Sequence, residues 1–112
     1  IQNIIAPNLT LIFSQAFQNF KQLRYVYAPK LLHIFRQAFE NCFALKAIKT
    51  LQLEQIDEFA FINCYSLVDI DFQHVNQIGE GALSSCLSLL KFHNNILTSG
   101  QFDSWFFFSI NL

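Results

Sequence analysis

The chain has 112 residues, 53% of them apolar and 13% charged, with a formal net charge of −1. That length suits one domain with a modest core; a net charge near zero leaves no basic face for nucleic acid and no basic amphipathic stretch for a membrane surface. No run approaches the roughly 18 consecutive apolar residues of a membrane span, so no membrane insertion is expected.

A fixed repeat organises the chain. Ala16-Phe17 recurs as Ala38-Phe39, Ala60-Phe61 and Ala82-Leu83, each 22 residues after the last. The same register aligns Ile12 with Ile34, Ile56 and Ile78, aligns Leu23 with Leu45, Leu67 and Leu89, and aligns Phe20 with Cys42, Cys64 and Cys86. A period of this size marks a stacked repeat protein. The rungs are 1–22, 23–44, 45–66 and 67–88, with a degraded fifth at 89–112, and together they read as one solenoid fragment. Ile1 already stands at the repeat position of Leu23 and Leu45 and no signal-peptide pattern opens the chain. It is therefore read as a piece that continues into further repeats of a longer array.

Each rung opens on one trio: Ile1, Ile4 and Ala6, then Leu23, Val26 and Ala28, then Leu45, Ile48 and Thr50, then Leu67, Ile70 and Phe72. The last two positions of each trio flank an outward residue, as in a strand with one buried face. Pro7 and Pro29 then stop that strand and turn the chain. The next segment carries Leu9/Ile12, Leu31/Ile34, Leu53/Ile56 and Val75/Ile78, which fits a second short strand or an extended arm. In the third segment, Phe17/Phe20, Phe39/Cys42 and Phe61/Cys64 have the spacing of one tight helical turn. No rung buries its apolar side alone; stacking buries one continuous column after another. With strands about 4.8 Å apart, such a stack of five would be roughly 24 Å along its axis. In the final stretch Gly100 replaces the Ile of the second segment, while Trp105 and Phe108 fall in the columns of Phe17 and Phe20. Trp105 to Phe108 is either a worn repeat that caps the stack or an edge covered by a following rung.

The pattern L-x-x-I-x-A-P-x-L-x-x-I-x-x-x-A-F-x-N-C-x-x-L resembles the BspA-type leucine-rich repeat over all but the last dozen or so residues. Rung four, with Gly79 after Ile78, is nearest to that family's Ile-Gly-x-x-Ala-Phe-x-x-Cys segment, whereas Phe13, Phe35 and Asp57 depart from it. The resemblance implies an α/β, β-rich, right-handed leucine-rich-repeat solenoid of about five stacked rungs, with strands on one face and short helical turns elsewhere. It also implies a non-enzymatic scaffold without cofactors that recognises a protein or glycan ligand, as part of a larger microbial surface or secreted adhesion protein. Two other functional classes compete: a purely structural spacer array, and an accessory repeat segment of an enzyme whose catalytic domain lies elsewhere.

The outward positions of the first strand are the candidate binding face. They run down the stack as Arg24, Tyr25 and Tyr27, then Lys46 and Lys49, then Asp69 and Asp71, then Lys91 and His93. Repeat proteins bind through such extended faces, and aromatic and Arg side chains commonly carry the binding energy.

The remaining polar patterns read as structural. Cys42, Cys64 and Cys86 share a column with Phe20, so the site takes an apolar filler, and three thiols in a row without a His in register do not form a tetrahedral zinc site. Asn19, Asn41, Asn63 and Ser85 form a polar column whose side chains should bond to turn backbone or to the next Asn along the axis. Gly79-Glu80-Gly81 lacks the Lys-Ser/Thr of a phosphate loop and reads as a turn. His33, His74 and His93 fall in three different columns, so register brings no acid and base together. Asn8-Leu9-Thr10 is a glycosylation sequon, meaningful only in a secreted eukaryotic protein.

Overall fold

The computed structural model describes residues 2–92. The degraded fifth rung beyond Phe92, with His93 and Trp105 to Phe108, lies outside the described residues, as does the side chain of Lys91.

Eight short strands alternate between two parallel sheets among the described residues. The first sheet takes the opening segment of each rung: β1 (Asn3–Ile5), β3 (Tyr25–Tyr27), β5 (Ala47–Lys49) and β7 (Asp69–Ile70), in that order. The second takes the middle segment: β2 (Leu11–Ile12), β4 (His33–Ile34), β6 (Gln55–Ile56) and β8 (Gln77–Ile78). Register follows the repeat throughout. Ile4 sits opposite Val26, which sits opposite Ile48 and then Ile70; Ile12, Ile34, Ile56 and Ile78 form the matching column of the second sheet. The middle segment is thus a strand. A short helix, α1 (Leu87–Phe92), spans the end of rung four and the start of the fifth, so Lys91 lies on a helix and not at the outward strand position that the repeat register predicts.

The Pro-containing corners behave as the sequence implies. The Leu9 N–H closes on the Ala6 carbonyl and the Leu31 N–H on that of Ala28, which places Pro7 and Pro29 second in their four-residue turns. That position suits the fixed φ of proline and asks for no N–H.

The third segment is not the helical turn that its spacing suggests. Gln15, Asn19, Gln37, Asn41, Phe59, Asn63, Gly81 and Ser85 all have φ between 56° and 66°, a left-handed backbone that interrupts any helix. Donors alternate instead. The N–H groups of Ala16, Gln18 and Phe20 close local turns onto the carbonyls of Phe13, Gln15 and Phe17. Those of Gln15, Phe17 and Asn19 reach across to the carbonyls of Arg36, Ala38 and Glu40 in the next rung. The cross-rung donors recur from rung two to three as Gln37, Phe39 and Asn41, and from rung three to four as Phe59, Phe61 and Asn63. Backbone donors that a helix would have satisfied internally are shared between the rung and its neighbour, which ties the stack together along this side.

The core is the set of columns. Leu23, Val26, Leu31, Ile34, Ala38, Phe39, Cys42 and Leu45 of rungs two and three are fully buried, as are Ala60, Phe61, Cys64 and Leu67. Rung one has a described neighbour on one side only, and its Ile4, Leu9 and Phe17 are only half-buried against that core. Gly79 answers a steric need: a Cβ there would lie 2.3 Å from the backbone nitrogen of Glu58, so rung four admits no side chain where rungs one to three carry Phe13, Phe35 and Asp57.

Candidate binding faces

The outer face of the first sheet carries the candidate residues the sequence singles out. Arg24, Tyr27, Lys46, Lys49, Asp69 and Asp71 are exposed and Tyr25 is half-buried. Strand pairing sets Tyr25 beside Ala47 and Asp69 along one column, and Ile5, Tyr27 and Lys49 along the next. Ile5 is 64% exposed and Tyr27 39%, so an apolar strip opens on this face next to the charged groups.

Part of the charge is used within the face. The Lys49 ammonium pairs with the Asp69 carboxylate of the next rung, and that hydrogen bond holds the lysine above its ordinary pKa. Asp71 accepts the backbone N–H of Gln73 at 2.8 Å and so supports its own turn. Arg24 and Lys46 stand exposed on the same side, leaving a basic and aromatic patch centred on rungs two and three.

The outer face of the second sheet holds a cluster that comparison of like columns missed. His33 Nε2 lies 2.9 Å from Asp57 Oδ1, and the Gln55 side-chain amide donates to the same oxygen at 3.0 Å. An ionised carboxylate only accepts, so Nε2 carries the proton in this contact. The His33 ring stacks on Phe35 with centroids 3.8 Å apart, and Phe35 in turn meets Phe13 at 5.3 Å. His33 and Asp57 are 24 positions apart, one rung plus two residues, and so fall in different columns. The signal was the diagonal neighbour across the strands, within reach of long side chains. A polar cavity of about 350 Å³, lined by Gln52, Glu54, His74 and Asn76, lies just ahead of β6 and β8 in the chain. On a third side, Phe43 and Tyr65 stack at 5.2 Å with Lys21 5.8 Å above the Phe43 ring.

The thiol and asparagine columns are structural. Cys42, Cys64 and Cys86 are buried free thiols, and they donate to the carbonyls of Phe17, Phe39 and Phe61 at 3.1, 3.1 and 3.2 Å. Burial pushes the Cys42 and Cys86 thiols up to about 12 and Cys64 well above its ordinary value. Thiols held in that form are poor nucleophiles and poor metal ligands. The Asn41 amide donates to Asn19 Oδ1 at 2.8 Å and the Asn63 amide to Asn41 Oδ1 at 2.9 Å, so the asparagines form a ladder along the axis.

Comparison with known proteins agrees with this architecture. The family profile described as BspA type leucine-rich repeat region (6 copies) matches residues 1–112. Among curated proteins, none matches this chain. The crystal structure of a T. pallidum leucine-rich repeat protein superposes with a TM-score of 0.72 at 27% sequence identity. The match covers 78% of this chain and 45% of that one, so the chain spans less than half the length of the protein it resembles. Repeat, sheet register and family profile coincide over the described rungs: the chain belongs to the BspA-type leucine-rich repeat family.

Proposed function

We propose that this repeat scaffold recognises a protein surface through the outer face of its first sheet, as a non-enzymatic segment of a larger surface or secreted protein. The observation that carries the reading is the patch of Arg24, Tyr25, Tyr27 and Lys46 on a sheet whose backbone is locked by parallel pairing on both sides. Tyr and Arg are the residues that most often anchor interfaces, and a rigid support lowers the entropy cost of ordering them. With Lys49 and Asp69 paired to each other, the patch is basic and complements an acidic rim on the partner.

The test is binding of the chain to a panel of immobilised, purified extracellular proteins at low and moderate salt. Binding to one or more acidic members is expected, weakened by salt. Combined Arg24→Ala, Tyr25→Ala and Tyr27→Ala should lower affinity at least about tenfold with thermal unfolding unchanged. Unchanged affinity in a folded triple variant would remove the claim for this face.

A further inference from the structure

We infer that Asn8 is a modification site, the acceptor for one N-linked oligosaccharide in a eukaryotic secretory compartment, carried at the proline corner between the two sheets. The inference rests on the secreted part of the function proposed above and not on its binding face.

Asn8-Leu9-Thr10 is the sole Asn-x-Ser/Thr triplet in the chain, and its middle residue is not Pro. Asn8 and Thr10 are both exposed, while Leu9 between them packs against the core. The amide and the hydroxyl thus stand on the outer side, with the apolar residue turned in. Asn8 is third in the turn Ala6-Pro7-Asn8-Leu9, which the Leu9 N–H closes onto the Ala6 carbonyl at 3.2 Å. The equivalent turn of rung two closes at 3.1 Å with Lys30 in that place, so the turn does not require an asparagine. Asn8 Oδ1 accepts from Lys30 Nζ at 3.5 Å, beyond the usual range for a hydrogen bond, and Nδ2 has no partner among the described residues.

The outward corner belongs to the column and not to one end of the stack. Lys30 and Gln52 hold the Asn8 place in rungs two and three, each with a described rung on either side, and both are exposed. His74 is exposed in the same place in rung four. Rung one alone joins the asparagine to a hydroxyl, because Leu32, Glu54 and Asn76 stand where it has Thr10.

In the transfer, Nδ2 attacks the anomeric carbon of an oligosaccharide linked to a lipid diphosphate. The N–C bond forms as the bond from that carbon to the diphosphate oxygen breaks; one amide proton is released and the lipid diphosphate leaves. The secretory compartment supplies donor and transferase, and the chain supplies the acceptor amide with Thr10 beside it. The fold then keeps the product at little cost, since the sugar displaces one long contact to Lys30 and leaves the backbone pairing as it is.

The experiment sends the full chain, behind a cleavable secretion signal, through cultured eukaryotic cells, with intact mass read in both medium and lysate. One oligosaccharide per chain is expected, removed by peptide N-glycosidase, absent from Asn8→Gln and from Thr10→Ala, and retained at lower occupancy in Thr10→Ser. Lys30→Asn combined with Leu32→Thr builds the same triplet one rung on and should add a second oligosaccharide. Thermal midpoints of the glycosylated and deglycosylated chains should agree within about 3 °C, as for other surface changes. No added mass in either fraction would overturn the proposal, as would an oligosaccharide that survives Asn8→Gln. A glycosylated chain that lacks the cooperative melt of its deglycosylated form would overturn it too. Chain made in bacteria carries no such oligosaccharide, so binding at the first sheet is read separately and either result stands without the other.

Discussion

The ring of Phe39 lies parallel to that of Phe61, with 5.2 Å between centroids and 1° between planes. Phe17 extends the column on the other side at 5.4 Å. Phe39 is fully buried, and the ring bears on a neighbour in each direction along the axis. Phe39→Ala should therefore cost roughly 3–5 kcal/mol, the usual penalty for emptying a large aromatic site. Urea unfolding measures it, and a loss below about 1 kcal/mol would contradict an interior position.

The asparagine ladder yields a second expectation, because Asn41 does two things at once. Its backbone sits at a φ of 63°, and its side chain bonds both Asn19 and Asn63. Asn41→Gly relieves the backbone demand and loses only the ladder, at about 1 kcal/mol. Asn41→Ala loses the ladder and adds the left-handed penalty, for about 2–3 kcal/mol in total. Chemical denaturation of the two variants separates the contributions, and equal losses would show that the backbone conformation is not costly.

The thiol column sets a pH dependence whose sign is fixed by burial. Folded, Cys42 and Cys86 keep their protons up to about 12, against an ordinary value of 9.0 for an unfolded thiol. Below pH 9 both states are protonated and the full contribution is present; as pH rises toward 12 the unfolded state alone ionises, so stability falls. Urea midpoints measured between about pH 8 and about pH 11 should drop more steeply in the wild type than in a variant with Cys42→Ala, Cys64→Ala and Cys86→Ala. Parallel slopes would show that the thiols ionise alike in both states.

Columns were legible in the chain because stacking places like residues on like: Phe17, Phe39 and Phe61 stack as their shared register requires. Contacts that step off the register were not. Lys49 meets Asp69 at a separation of 20, and His33 meets Asp57 at 24, each two residues away from the repeat. Both depend on side-chain length and direction, which periodicity does not encode. The helical turn expected around Phe17 and Phe20 failed for a related reason. Spacing of three is shared by a helix and by successive turns, and the choice lay with Gln15 and Asn19 in the left-handed region. Asparagine at that place was a usable signal; glutamine was not.

Thr50 offers the last expectation, in the direction of greater stability. It occupies the column of Ala6, Ala28 and Phe72, is 4% exposed, and its hydroxyl finds no hydrogen-bond partner among the described residues. A buried hydroxyl without a partner forfeits its hydration and gains nothing in return. Thr50→Val keeps the branched shape and removes the polar atom, so it should stabilise the fold by about 1 kcal/mol. The urea midpoint reads the change at constant slope. A midpoint that falls would mean the hydroxyl is bonded in solution and that this corner, which lacks the proline found at Pro7 and Pro29, takes its turn geometry from the threonine instead.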